Sequence, residues 1–165
     1  MPSTTNETST DSKDILPLTK VLVATDGSKN AQRAVRAAVQ VSKQFKAELI
    51  LLTVVMELVP PVYSPIGVDV PTIDYTAYLQ RAEADGKKIA ADAAQLADSE
   101  GVKNKIVVLR SVTSVAEAIL EEATKEKVNV IIVGTRGLGG FKKLLLGSVS
   151  SAIVDHAPCS VLVIR

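Results

Sequence analysis

From Lys20 onward the chain alternates between short, unbroken apolar runs and stretches with helical spacing. Val21, Leu22, Val23 and Ala24 form the first run, which ends in the turn-forming Thr25, Asp26, Gly27 and Ser28. A strand that is apolar at every position suits burial on both faces, because successive side chains point to opposite sides. Residues 29–45 then place Ala31, Ala34, Val35, Ala38, Val41 and Phe45 on one helical face, with Lys, Arg and Gln opposite. Ser28 is the expected N-cap, its hydroxyl accepting from an orphan amide of the first turn. The same rhythm predicts strands over 49–55, 105–109, 128–133 and 160–164. It predicts a long helix over 76–99, with Leu79, Ala82, Ile89, Ala93, Leu96 and Ala97 inward and Gly86 as a weak point. A helix over 115–126 is opened by Ser114 and Glu117 in capping-box spacing. A short last helix over 148–156 is stopped by Ala157 and Pro158.

Five buried-type strands alternating with four helices predict an α/β fold around an open parallel sheet with right-handed crossovers. One domain is expected over 18–165. Residues 3–14 carry no apolar side chain, so 1–17 reads as a disordered tail. Residues 57–74 interrupt the rhythm with four of the seven prolines and no period. A connection of that length suits a surface insertion, a lid or a partner contact.

Composition narrows the function. With 47% apolar residues the chain is too hydrophobic to be disordered throughout, yet no apolar run reaches the ~18–20 residues of a membrane span. Nineteen Lys and Arg against eighteen Asp and Glu leave a net charge of +1, which gives no electrostatic footprint for nucleic acid. Three Tyr, two Phe and no Trp argue against a base-stacking surface. A single Cys and a single His exclude an intrachain disulfide and a His-rich zinc site. The start lacks a basic segment followed by an apolar core, so a cytoplasmic protein without a secretory signal is expected.

In open parallel sheets, ligands bind beyond the carboxyl ends of the strands, where strand order reverses. Two loops qualify. After the first strand, Asp26 is placed either to accept from a ribose hydroxyl or an adenine amino group, to help hold a metal, or to bond its own backbone two residues on. After the fourth strand, Gly134, Gly137, Gly139, Gly140 and Gly147 lead to Ser148 at the last helix, with Arg136, Lys142 and Lys143 adding charge. Glycines let backbone amides approach an anion, and a helix N-terminus adds partial positive charge. Ser148 is placed to cap the helix or to meet a phosphate. The alternative is a plain glycine-rich loop beside a solvated basic patch. The Walker phosphate-loop, dinucleotide-fingerprint, zincin and nucleophile-elbow patterns are all missing. His156 is expected to help cap the last helix and Cys159 to pack inertly.

These residues resemble the universal stress protein family over about 18–165. The likeness rests on the opening KVLVATDGS, on the spacing G-x2-G-x9-G-S formed by Gly134, Gly137, Gly147 and Ser148, and on the ending SSAIVDHAPCSVLVIR. It implies a Rossmann-like sheet of order 3-2-1-4-5 and the ATP-binding branch of the family. It further implies that Thr25 and Asp26 line the adenosine end, that Val54 meets the adenine, and that Val133 and Gly134 lie beside the ribose and phosphates. Gly137, Gly147, Ser148, Val149 and Ser150 would cradle the phosphates, and Arg136 is a weaker member of the set. Mg2+ or Mn2+ would accompany ATP, with no protein ligand assigned. A homodimer through strand 160–164 is implied, which would cover an open sheet edge. Two positions depart from the family pattern: Ser111 stands where many members have Gly, and Ser160 where many have Pro. The leading function is a dimeric, nucleotide-dependent stress regulator or sensor that binds rather than turns over ATP. The alternatives are a slow metal-dependent ATPase switch and a partner-binding scaffold whose structural ligand is a nucleotide or cyclic AMP.

Overall fold

The computed structural model describes residues 17–57, 74–138 and 146–165. The elements follow in the order β1 (Lys20–Ala24), α1 (Lys29–Phe45), β2 (Glu48–Met56), α2 (Tyr75–Ser99), β3 (Asn104–Ser111), α3 (Val115–Glu126), β4 (Val130–Gly134), α4 (Ser148–His156) and β5 (Ser160–Ile164). All strand pairs are parallel, and the sheet order is β3-β2-β1-β4-β5. Successive elements therefore run one way from β1 to β3 and the other way from β4 to β5. The reversal lies between β1 and β4.

The unbroken apolar runs have the two-sided burial their pattern predicts. Val21, Val23, Leu49, Leu51 and Ile132 face a core shared with α1 and α2. Leu22, Ile50, Leu52, Ile131 and Val133 face a second core shared with α3 and α4. Val23 sits in register with Leu51 on one side and Ile132 on the other.

Each predicted helix exists, with corrections to its faces. Phe45, expected inward, is 59% exposed, and α1 buries Val39 and Ser42 instead. Phe45 is the last helical residue, and Lys46 closes the helix after it in the left-handed region at φ 54. Helix α2 rests on small residues, Gly86, Ala90, Ala93, Ala94 and Ala97, while Leu79, Ala82, Ile89 and Leu96 are only half-buried. Gly86 is a contact and not merely a weak point, since a Cβ there would lie 2.9 Å from Val55 Cγ2. Strand β4 begins at Val130, two residues later than predicted. Lys127 reverses the chain at φ 54 and the Val128 amide bonds back to the Ala123 carbonyl, so Val128 belongs to the exit of α3.

Two of the predicted N-caps form. Ser28 Oγ accepts from Ala31 N–H at 3.2 Å, and Ser114 Oγ accepts from Glu117 N–H at 3.0 Å. Ser111, one of the two departures from the family pattern, uses its hydroxyl to accept from Thr113 N–H and donate to the Ser114 carbonyl. Asp74 caps α2, and the rest of the proline-rich connection, 58–73, lies outside the described residues, as do 1–16 and 139–145 with Lys142 and Lys143. Among the described residues no helix is long and apolar enough to cross a membrane.

Candidate functional site

The strand reversal opens a cavity of about 520 Å³ at the carboxyl ends of β1, β2 and β4. The eleven residues that the resemblance implied for a nucleotide all line it, while Gly139, Gly140, Lys142 and Lys143 lie outside the described residues. Thr25 and Asp26 follow β1, Val54 comes from β2, and Val133 and Gly134 end β4. Arg136 and Gly137 continue from β4, and Gly147, Ser148, Val149 and Ser150 enter α4. The sequence reasoning missed the apolar wall: Leu52 of β2 with Val115 and Ile119 of α3, and also Leu138. Leu52 falls inside a predicted buried strand and Ile119 inside a predicted helix, and neither belongs to a loop after a strand. Only the strand order shows that they also border a cavity.

Asp26 has two tasks. Its Oδ1 accepts from Ser28 N–H at 3.0 Å, the local turn expected of an Asp two residues before. Its Oδ2 reaches across the reversal and accepts from Leu138 N–H, also at 3.0 Å. Gly27 makes the turn at φ +78, a conformation that glycine adopts without a Cβ penalty. Thr25 is buried, its amide donating to the Leu52 carbonyl at 2.9 Å, so the turn is fixed to β2.

The three glycines of the spacing have different physical causes. A Cβ on Gly134 would lie 2.9 to 3.1 Å from backbone atoms of Asn30 and Ala31, so the end of β4 packs against the start of α1. A Cβ on Gly137 would collide with Asp26 Oδ2. Gly147 has no such neighbour among the described residues. A Cβ there would come no closer than 3.4 Å to any of them, and its φ of −75° suits any residue.

Gly147, not Ser148, is the N-cap of α4, which corrects one of the two roles considered for Ser148. Ser148 is the first helical residue. The amides at the start of a helix have no carbonyl four residues back, and Ser148, Val149 and Ser150 line the cavity, so this end brings donors without a partner among the described residues to it. Ser150 is 3% exposed, and its hydroxyl is 3.0 Å from both the Thr135 and Gly147 carbonyls. It clamps the loop to the helix, so its hydroxyl proton is committed within the chain. Among the described residues no three His, Cys, Asp or Glu side chains converge on an ion, and Asp26 is the carboxylate at the cavity. His156 is exposed in the last turn of α4. Cys159 packs against the α3/α4 core, and burial pushes its thiol up from the ordinary value, away from reactivity.

Chemically, the cavity has an apolar slot between β2 and α3, an acceptor-only carboxylate in the middle, and backbone donors at the glycine side. The family model described as the universal stress protein family matches residues 17–165. The universal stress protein YxiE of Bacillus subtilis is 35% identical over 147 residues, covering 88% of this chain and 98% of that protein. The structure of the universal stress protein UspA from Lactobacillus plantarum aligns with a TM-score of 0.76 at 27% identity, covering 91% of this chain and 99% of that one. A universal stress protein in complex with cAMP aligns with a TM-score of 0.58 at 26% identity, covering 89% and 96%. From its first strand to its last residue, this chain belongs to the universal stress protein family.

Proposed function

We propose that the protein binds an adenine nucleotide, ATP foremost, in the β1/β4 cavity, and that as a dimer in the cytoplasm it acts as a nucleotide-dependent regulator in stress adaptation. The observation that carries the reading is Gly147. The fold accounts for the other two glycines of the spacing, but nothing among the described residues requires a missing side chain at the entrance to α4. Room kept clear beside unsatisfied helix amides fits an anion that must approach the backbone. The apolar slot of Leu52, Val54, Val115 and Ile119 suits a purine. Asp26 accepts hydrogen bonds and cannot donate while ionised, so it suits a ribose hydroxyl or an exocyclic amino group and not a phosphate. A relative in complex with cAMP supports an adenine ligand in this family.

Binding without turnover is part of the reading. The cavity's carboxylate, Asp26, already accepts from two backbone amides, and among the described residues no second carboxylate or histidine lines the cavity beside it to activate water. Any divalent ion would be held chiefly by the phosphates, since the described residues offer no cage for it. The dimer is supported by β5, which ends the sheet and leaves Leu162 40% exposed, with Val154 of α4 46% exposed. An open apolar edge of that kind is a pairing surface.

The test is to denature freshly purified protein, identify released nucleotide by mass, and titrate the emptied protein with ATP, AMP and cyclic AMP by calorimetry. Saturable ATP binding without phosphate release is expected. Phosphate release would favour a slow ATPase, and failure of all three ligands to bind would refute the reading.

A further inference from the structure

At the carboxyl end of the strand reversal, a side-chain bond ties the β1 turn to the loop after β4. Asp26 Oδ2 and Leu138 N–H, 112 positions apart, hold the β1 turn against the β4 loop at 3.0 Å. Gly137, immediately before Leu138, leaves the space that lets the carboxylate reach that amide. The other oxygen is fixed by Ser28 N–H, so the carboxylate is oriented from both sides.

We propose that Asp26 is a positioning residue for the glycine loop, and that Gly137 is glycine so that this carboxylate can hold the Leu138 amide. The consequence for ligand binding rests on the nucleotide reading above, but the tether itself does not. Each carboxylate oxygen carries two lone pairs, and each spends one on a backbone amide. One pair on each oxygen remains to accept from a ligand hydroxyl, and Asp26 lines the cavity. One side chain thus receives the nucleoside and sets the backbone that receives the phosphates. Asparagine has the same shape but one acceptor oxygen, so Asp26→Asn satisfies only one of the two amides.

Two roles make opposite predictions. A residue that only touches the nucleoside is a negative charge near the phosphates, and neutralising it would leave the affinity for inorganic tripolyphosphate unchanged or raise it. A residue that positions the loop does the reverse. In D26N, tripolyphosphate affinity is expected to fall about five- to tenfold, alongside the loss in adenosine affinity. In the ligand-free protein, the Leu138 amide is expected to exchange with deuterium about tenfold faster in D26N. Gly137→Ala keeps the charge and breaks the same bond from the other side, so it should expose the same amide, and the double variant should add nothing further. Circular dichroism and urea midpoints show that the variants remain folded. Unchanged Leu138 exchange in folded D26N, or additive effects in the double variant, would overturn the proposal. If wild type binds neither adenosine nor tripolyphosphate, the nucleotide reading fails while the exchange result still decides the tether.

Discussion

The two ends of the sheet are built on opposite principles. At the amino ends of the strands, side chains close the structure on itself. Asn129 Oδ1 accepts from Thr19 N–H at 2.9 Å and Lys20 N–H at 2.8 Å. Glu126 bridges Lys105 at 2.6 Å and Lys20 at 3.2 Å, and these two ammonium groups hold its carboxyl below the usual range. Lys103 pairs with Glu48 at 3.1 Å. At the carboxyl ends, glycines and helix-start amides border a cavity, and the bonds that cross it converge on Asp26 and Ser150. Identical strands feed both ends, so the difference is one of use. One end is saturated and adds stability, while the other keeps donors unspent for a ligand.

The largest expected effect that sharpens this contrast is at the saturated end. Asn129→Ala leaves the Thr19 and Lys20 amides without their shared acceptor. The cost is about 1–2 kcal/mol, below the full penalty of burial because water reaches the site. Urea denaturation should show a lower midpoint with an unchanged slope, and ATP affinity should stay at the wild-type value. A matched loss of affinity in N129A would mean that the two ends are coupled.

Gly147→Ser should give the opposite signature. Serine is a good N-cap, so stability should hold or rise by a few tenths of a kcal/mol. Its hydroxyl would occupy α4 amides and the space proposed for phosphate. ATP affinity should fall about tenfold, which is about 1.4 kcal/mol. Calorimetry on the folded variant checks it, and unchanged affinity would remove the main support for the nucleotide reading.

How much of this was legible in the chain follows from the same contrast. The apolar runs gave all five strands, because two-sided burial leaves a local pattern. The order β3-β2-β1-β4-β5 came from resemblance, since periodicity says nothing about which strands pair. The Asp26 turn and the glycine loop were legible because loops after parallel strands converge at the reversal, while the rest of the eleven residues, which also line the cavity, came from the resemblance. The apolar wall of Val115 and Ile119 was not, since lining a cavity and packing a core ask for the same side chains. Nor did anything announce the helix exits at Lys46 and Lys127, where lysine takes the left-handed conformation usually given to glycine. The Asp26–Leu138 bond was equally hidden. The sequence signals the turn through Ser28, while the reach across 112 positions exists only once β1 and β4 are neighbours.

A smaller effect tests whether the carboxyl end is as free of charged bracing as the contrast suggests. Arg110, late in β3, pairs with Glu83 of α2, and Lys87 pairs with the same carboxylate at 2.7 Å. Lys87 first and Arg110 second hold the Glu83 carboxyl down to about 2. None of these three residues lines the cavity, so this brace fixes α2 to β3 and leaves the ligand side alone. The sign follows from linkage. A carboxyl whose value is lowered on folding adds stability that is fully present above its unfolded value near 4.5 and is lost as pH falls toward 2. Glu83→Gln should therefore flatten part of the acid-side loss between those limits and lower stability slightly at neutral pH. The neutral-pH difference should shrink in high salt, because the pair is exposed and screened. Urea midpoints across that range check the sign, and ATP affinity unchanged at neutral pH would show that a charged brace at the carboxyl end can stand apart from the site.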